Sequence, residues 1–360
     1  FKEDQLLKKI SNIYSWYGID ILPIKYFKDN SIFYFKEKKF LKIILKLANL
    51  FLPKFFQQIV DPEKKISQYI RSKNFDLCFA RTYNVVKYNI ENKIPTILET
   101  HNSSPKNIKN LIELLNLSQS KYFLGLVTIH DKLKENFLKL GVPKEKLLVL
   151  EDAVDLEKFD LVSDNIEINR KKLSIPLNKT IVMYCGSLKA GKGINLILNS
   201  AKKLECKNDI LFYIIGGDEN DINYWKNFNG INYNNVIFKS FVEGFQVPQY
   251  LKSANILFMP YETKNNYNSV MDLETTSPIK LFEYMASKKP IITSNIETIK
   301  KVLKNRESGI LVDSKFENVI LDLLVDDKLC SKISSKAYQN VKNYTYNKRC
   351  TTILKAFHKN

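Results

Sequence analysis

The sequence predicts an α/β protein made of two successive doubly wound domains, on three observations. Short apolar runs alternate with stretches of helical spacing, the signature of parallel sheets covered on both faces. The alternation starts afresh after the segment Val149 to Phe159, so two such series follow one another. A chain of 360 residues, 44% apolar and 26% charged, is globular in composition and long enough for two cores.

The chain opens on a helical pattern, Leu6, Leu7, Ile10, Ile13, Tyr14 and Tyr17, followed by a strand at Ile19 to Ile24. A doubly wound domain ordinarily opens on a strand and a glycine-rich turn. With Phe1 rather than Met at the start, the sequence reads as a piece whose first strand and turn are missing. Strands then follow at Phe75 to Ala80, Ile94 to Glu99 and Tyr122 to Thr128, with helices at Val85 to Ile90, Lys106 to Leu117 and Lys132 to Leu140. Val149 to Phe159 reads as the hinge.

The second series has strands at Ile181 to Cys185, Ile210 to Ile215, Asn235 to Lys239, Ile256 to Met259, Pro290 to Thr293 and Gly309 to Val312. Its helices are Ile194 to Leu204, Val247 to Ala254, Ile279 to Ala286 and Ile296 to Leu303, and a closing helical stretch covers Ser331 to Phe357. The expected organisation is therefore residues 1–155 as one domain truncated at its start, 156–335 as the second, and 336–360 as a helix packing back across the junction. A cleft is expected where the strand C-terminal ends of the two domains meet.

Lys plus Arg number 56 against 38 Asp plus Glu, a net charge of +18, which points to anionic partners or to a lysine-rich surface of biased composition. The cysteines Cys78, Cys185, Cys206, Cys330 and Cys350 are odd in number and widely spaced, so neither a disulfide framework nor a zinc site is indicated and a reducing compartment is expected. No apolar run approaches the roughly 20 residues of a membrane span, and because Lys2, Glu3, Asp4, Lys8 and Lys9 interrupt the opening residues no signal peptide is expected there. One segment stands out. In Phe35–Leu52, Lys39, Lys42, Lys46 and Asn49 share one helical face and Phe40, Ile44, Leu47 and Phe51 the other, and residues 31–60 carry a net charge of +5. Such a helix can lie in the headgroup layer of an anionic membrane or pack on a core with solvated lysines.

Two segments carry chemistry. In Ile181 to Leu198 a strand runs into Gly186, then into Lys192 and Gly193 directly before an amphipathic helix. A strand-to-helix turn of this kind offers backbone N–H groups, the positive end of a helix dipole and a lysine to a phosphate; its plain alternative is a glycine turn with a solvated lysine. In Thr275 to Pro290, Ser277 suits an N-cap and Pro278 the first helical position. Lys280 then falls in the first turn, where a cation opposes the helix dipole, and a bound anion would remove that conflict. Glu283 reads either as an acceptor for sugar hydroxyls or as the i,i+3 partner of Lys280. His101 follows the strand of PTILETHNSSPKN at 95–107 and points toward the expected cleft, as does Arg81 after FDLCFA, whose alternative is a surface ion pair. His130 and His358 read as structural or solvated.

Together GSLKAGKG at 186–193, FVEGFQVPQYLKSANILFMPY at 241–261 and SPIKLFEYMASKKPIITSN at 277–295 resemble the retaining family 4 glycosyltransferases of the GT-B fold, the glycosyl transferases group 1. The likeness extends to VTIHDKLKENFLKLGVPKEKLLVLEDAVDLEKF at 127–159 and covers roughly residues 75–345. It implies an N-terminal acceptor-binding domain, a C-terminal donor-binding domain and a nucleoside diphosphate sugar as co-substrate, with no cofactor and no metal. It places Gly186, Ser187, Lys192, Ser277, Pro278 and the amides of Ile279, Lys280 and Leu281 at the donor phosphates, and Glu283 at the donor ribose. Lys239, Ser240 and Phe241 fall in the donor-base region, and His101 with Lys192 in the catalytic role. Arg81, Asn102, Glu274 and Thr275 are its acceptor or sugar candidates. Two positions depart from the family pattern: Ser187 stands where an Arg is usual, and the first Glu of the paired-Glu motif falls on Thr275, one residue from Glu274.

The expected function is thus retaining sugar transfer to a glycan or lipid-linked acceptor in cell-surface polysaccharide or glycolipid synthesis, in the cytoplasm and, through Phe35–Leu52, at the inner membrane face. The competing readings are a GT-B-like sugar-nucleotide epimerase or hydrolase and a basic nucleic-acid-binding protein. The first wants additional cleft carboxylates; for the second no recognised nucleic-acid module is present.

Overall fold

The computed structural model describes residues 62–101, 108–228, 233–262 and 279–357. The opening helix, the strand at Ile19 to Ile24, the segment Phe35–Leu52 and the residues Asn102, Glu274, Thr275, Ser277, Pro278 and His358 lie outside the described residues.

The N-terminal unit contains α1 (Pro62–Ser72), β1 (Cys78–Ala80), α2 (Tyr83–Glu91), β2 (Thr96–Thr100), α3 (Ile108–Ser118), β3 (Phe123–Thr128), α4 (Asp131–Lys139) and β4 (Leu147–Val149). Its sheet has the order β1-β2-β3-β4, and each pairing is parallel. Strands buried on both faces need apolar side chains throughout, and β2 and β3 supply them: Ile97, Phe123, Leu126 and Val127 are fully buried. His130 acts as the N-cap of α4, its Nδ1 accepting the Lys132 N–H at 3.2 Å, a structural role.

The C-terminal unit contains α5 (Leu156–Asp160), α6 (Ile166–Leu173), β5 (Thr180–Cys185), α7 (Ile194–Lys203), β6 (Ile210–Ile215), α8 (Glu219–Lys226), β7 (Val236–Lys239), α9 (Val247–Lys252), β8 (Ile256–Met259), α10 (Ile279–Ala286), β9 (Ile291–Ser294), α11 (Glu297–Lys300), β10 (Ile310–Val312), α12 (Phe316–Val325), α13 (Asp327–Val341) and α14 (Tyr346–Phe357). The strand order is β10-β9-β8-β5-β6-β7, all parallel. The order reverses between β5 and β8, the topological switch point at which open sheets bind ligands beyond their strand C-termini. One core packs Met183, Leu257, Phe282 and Tyr284 on one face of the sheet and the other packs Val182, Tyr184, Phe212 and Phe258 on the opposite face.

The units divide at 149/150 and again at 352/353, against 155/156 and 335/336 in the sequence reading, so α14 has residues in both. At its far end Phe357 lies against Gly125 of β3, where any Cβ would collide with the ring.

Several elements differ from expectation. The single closing helix is two, because the chain turns at 342–345 and frees the Tyr344 carbonyl to accept the Val154 N–H at 2.9 Å. The first of the two also starts earlier, at Asp327, with the Asp326 carboxylate capping the Leu329 N–H at 2.9 Å. Ile296 to Leu303 yields only the single turn α11, since Val302 and Leu303 leave the helix to bury their side chains. The hinge stretch opens on the last residue of β4, an edge strand of the described sheet whose LLV run the sequence reading missed. Helix α8 was also missed although it carries a capping box, Asp218 with Asp221.

Candidate functional site

The central strands β5 and β6 end in register, Cys185 beside Ile215, and each is followed by a glycine. Gly216 has φ +138°, and a Cβ there would overlap the Gly186 carbonyl oxygen. At Gly186, with φ +155°, a Cβ would sit 2.5 Å from Cδ of Lys280 and 2.9 Å from its Nζ. The two glycines thus let the strand ends approach closely and let the Lys280 stem lie across the β5 turn.

The loop 186–193 is pinned from several sides. The Tyr184 hydroxyl donates to the Ser187 carbonyl at 2.7 Å, and the Trp225 indole N–H donates to the Leu188 carbonyl at 2.7 Å. The Glu262 carboxylate accepts the backbone N–H groups of Gly191 and Gly193. Gly193 itself is the left-handed N-cap of α7, where a Cβ would strike the Pro260 carbonyl. Lys192 is therefore held between two amides that a nearly buried carboxylate fixes in place.

Helix α10 supplies the opposite wall. The Lys280 ammonium donates to the Tyr184 hydroxyl at 2.6 Å and lies 4.2 Å from the centre of that ring. The Tyr284 hydroxyl accepts the Cys185 N–H at 2.8 Å, tying α10 to the end of β5. Burial, then the nearby Lys192 charge, pushes Lys280 down to about 7. Burial likewise lowers Lys192 and lifts Glu283 to about 7, an effect that Lys280 and Lys158 oppose. Burial and the Glu283 charge push the Cys185 thiol up to about 12, which leaves it inert as a nucleophile.

Among the described residues no carboxylate lies within ion-pair distance of Lys192 or Lys280, and the i,i+3 pairing of Lys280 with Glu283 is not formed. Two desolvated cations near one glycine turn, without a counter-charge in contact among the described residues, are an arrangement that can accept an anion. The first turn of α10 adds the amides of Ile279, Lys280 and Leu281, which have no partner four residues back within the helix. The Leu281 side chain is core and the Ile279 side chain is exposed.

Around this centre, the Gly216 N–H donates to the Lys239 carbonyl at 3.0 Å and the Phe241 N–H to the Gly217 carbonyl at 3.1 Å. Ser240 and Phe241 lie exposed beside the β6 turn, with Phe241 at 60% exposure, a flat apolar face for stacking. Ser187 is exposed and carries no charge to the site. Thus Gly186, Lys192, Lys280 and Glu283 come together at the end of β5. Tyr184, Tyr284 and Glu262 were missed: the tyrosines read as strand and helix apolar positions, and Glu262 follows a strand without a motif.

In the N-terminal unit His101 and Arg81 gather on one buried carboxylate. His101 Nε2 is 2.9 Å and Arg81 Nε 3.6 Å from Glu99 Oε1, with the Glu99 side chain 6% exposed. Glu99 is a further polar residue the sequence reading left unassigned. Among the described residues no helix is long and apolar enough to cross a membrane, and no group of three or more His, Cys, Asp or Glu could hold a metal ion.

Residues 165–340 match the family described as Glycosyl transferases group 1. The chain is 25% identical over 252 residues to an Escherichia coli UDP-Gal:alpha-D-GlcNAc-diphosphoundecaprenol alpha-1,3-galactosyltransferase, covering 66% of this chain and 60% of that one. It is 20% identical over 258 residues to the alpha-galactosylglucosyldiacylglycerol synthase of Streptococcus pneumoniae, covering 70% of this chain and 65% of that one. The chain therefore spans less than two thirds of the length of both relatives. Anabaena HepE, solved in complex with UDP-glucose, superposes with a TM-score of 0.65 at 16% identity over 84% of this chain and 83% of its own. That likeness is one of fold, and the fold is GT-B. Residues 165–340, which hold the six-stranded sheet and the lysine-lined turn, belong to the glycosyl transferases group 1.

Proposed function

We propose that the protein transfers a sugar from a nucleoside diphosphate sugar to a glycan or lipid-linked acceptor with retention of anomeric configuration. The observation that carries this reading is the pair of desolvated lysines, Lys192 and Lys280, at the Gly186 turn, with lowered proton affinity and no carboxylate in contact among the described residues. A diphosphate seated there restores the charge balance that burial disturbs. As the sugar–phosphate bond breaks, negative charge grows on the leaving diphosphate. Lys192, Lys280 and the first-turn amides of α10 are placed to stabilise that charge without reorganising. Lysines and amides suffice for this work, so the reaction is read as needing no metal and no cofactor.

Glu283 is the candidate for the donor ribose hydroxyls and Phe241 for stacking on the base. Ser277 and Pro278 belong to the same reading as the start of the phosphate-facing helix, and Glu274 or Thr275 as residues near the transferred sugar. His101, Arg81 and Asn102 are the candidates on the acceptor side. The named activities of the E. coli and S. pneumoniae relatives, one on a diphosphoundecaprenol-linked sugar and one on a glycolipid, support a lipid-linked or polysaccharide acceptor. With them goes a cytoplasmic place, peripheral on the inner membrane face through Phe35–Leu52.

The test is a thermal-shift series of wild type and Lys192→Ala against UDP, GDP, ADP and inorganic phosphate, because a ligand that binds the folded state raises its stability by mass action. One diphosphate is expected to raise the melting temperature of wild type and not of the variant. No shift with any of the three diphosphates would sink the reading.

A further inference from the structure

A second cationic feature of the C-terminal unit lies at the other end of the six-stranded sheet. The strands β5, β6 and β8 begin at Thr180, Ile210 and Ile256, and these residues, with Pro290 before β9, floor an open crevice of about 1270 Å³. Its wall is the polar face of α13. Ser331, Ser335, Tyr338 and Lys342 recur there at three- and four-residue spacing, the interval that places side chains on one face.

The charge in this crevice is concentrated at one end. Asp164 is shared by two lysines: its Oδ1 is 2.6 Å from Lys252, which is 1% exposed, and its Oδ2 is 2.7 Å from Lys288. Lys288 and Lys342 place their ammonium groups 4.5 and 5.2 Å from the centre of the Tyr338 ring. The Tyr338 hydroxyl donates to Asp160 at 2.6 Å, which fixes the ring. Lys289 also lines this end and has no hydrogen-bond or ion-pair partner among the described residues. Burial pushes it down to about 8; Asp164 opposes the shift, and Arg170 and Lys252 reinforce it. Asp164 thus pairs with Lys252 and Lys288 and acts across space on Lys289, while Asp160 sits on the Tyr338 hydroxyl. The other acidic groups of the crevice are Asp209 near Lys207, and Asp322 and Asp327 on α12 and α13.

An unpartnered, partly desolvated ammonium in a cationic pocket draws an anion, and the depth of the crevice gives the anion's carrier somewhere to sit. We propose that this crevice is a second ligand site, in which Lys288, Lys289 and Lys342 bind a phosphate group and the exposed Ser335 and Gln339 hydrogen-bond the polar body of the molecule that bears it. Because it lies at the strand N-termini, its occupant does not compete with a nucleotide at Gly186 and Lys192.

The probe is radiolabelled inorganic tripolyphosphate, followed by equilibrium dialysis with the full chain at 0.15 M salt, where diffuse surface attraction is screened beyond about 8 Å. Lys192→Ala is expected to retain one tripolyphosphate per chain. Lys289→Ala/Lys342→Ala is expected to bind that one at least tenfold more weakly, while Lys300→Ala/Lys304→Ala, which removes equal charge elsewhere, leaves it unchanged. Ser335→Glu, on an exposed helix position that leaves the core intact, is expected to weaken it as the double variant does. Equal binding by the Lys289/Lys342 variant and wild type, or equal losses from both lysine pairs, would overturn the proposal. Loss of all binding in Lys192→Ala would overturn it as well, while leaving the donor-site reading intact.

Discussion

The strand ends of the two units carry polar residues in opposite electrostatic states. Beyond β1 and β2, the Arg81 guanidinium and the His101 ring converge on Glu99, so the buried carboxylate of that unit has its own partners. Beyond β5, Lys192 and Lys280 are desolvated with no carboxylate in contact among the described residues, and Glu283, whose charge acts on Lys280, is itself pushed toward its neutral form. A region that balances its charges internally suits a polar, neutral partner such as a sugar hydroxyl. A region left with excess positive charge suits a diphosphate. The difference teaches that net charge, here +18, says less about function than where a cation is denied its partner.

The sharpest way to break this contrast is to remove the uncompensated charge. Lys192→Ala is expected to lower kcat for sugar transfer on the order of 10²-fold or more, the usual cost of losing one preorganised donor to a developing anion. The folded state should remain as stable as wild type or become more so, because a desolvated cation is lost. Steady-state kinetics alongside thermal melting checks both halves. A tenfold or smaller loss would mean that Lys280 and the helix amides hold the diphosphate alone.

The next effect is on stability. Gly216→Ala forces a Cβ against the Gly186 carbonyl at a φ that side chains rarely adopt, and a loss of about 1–3 kcal/mol is expected in urea unfolding. Tyr284→Phe leaves the Cys185 N–H buried without its acceptor, for about 1–3 kcal/mol. If Tyr284→Phe were neutral, the end of β5 would be held by the sheet alone and α10 would be free to shift relative to it.

Much of this architecture was legible because parallel strands buried on both faces must be apolar throughout. ILFYII at 210–215 and ILFM at 256–259 therefore matched the observed strands β6 and β8 residue for residue. Gly186, Lys192 and Lys280 were legible for a different reason, since a glycine turn before a helix and a cation in a first turn are local features. What the sequence hid is long-range. Tyr284 reaches Cys185 across 99 positions, and Lys280 reaches Tyr184 across 96, and no local pattern distinguishes such tyrosines from core aromatics. The split of the last helix escaped for the same reason: the turn at 342–345 answers to Val154, far away in the chain.

The pH dependence sharpens the comparison from the other side. Lys280 titrates at about 7 in the fold against 10.5 when unfolded, so between those values the unfolded chain holds a proton that the folded chain lacks, and stability rises with pH. Glu283 titrates at about 7 against 4.5, so from 4.5 to 7 the folded chain holds the extra proton and stability falls as pH climbs. The two together give this site a minimum contribution near pH 7. Lys280→Met is expected to flatten the upper limb and Glu283→Gln the lower. An anionic ligand recharges Lys280, so stabilisation by a bound nucleoside diphosphate should fade as pH rises above 7. A ligand effect constant from pH 6 to 9 would show that Lys280 does not face it.

The smallest effect belongs to the self-balanced region. Arg81 is 60% exposed and 3.6 Å from Glu99, an arrangement worth about 0–1 kcal/mol to stability. Arg81→Ala should therefore melt within a few degrees of wild type, and His101 alone should continue to hold the Glu99 carboxylate at 2.9 Å. If Arg81 serves only that carboxylate, kcat and the donor KM stay within about threefold of wild type. A larger rise confined to the acceptor KM would move Arg81 from a supporting cation to a contact with the acceptor. That acceptor would then carry a negative charge of its own, because a neutral sugar gains little from an exposed guanidinium already shared with Glu99.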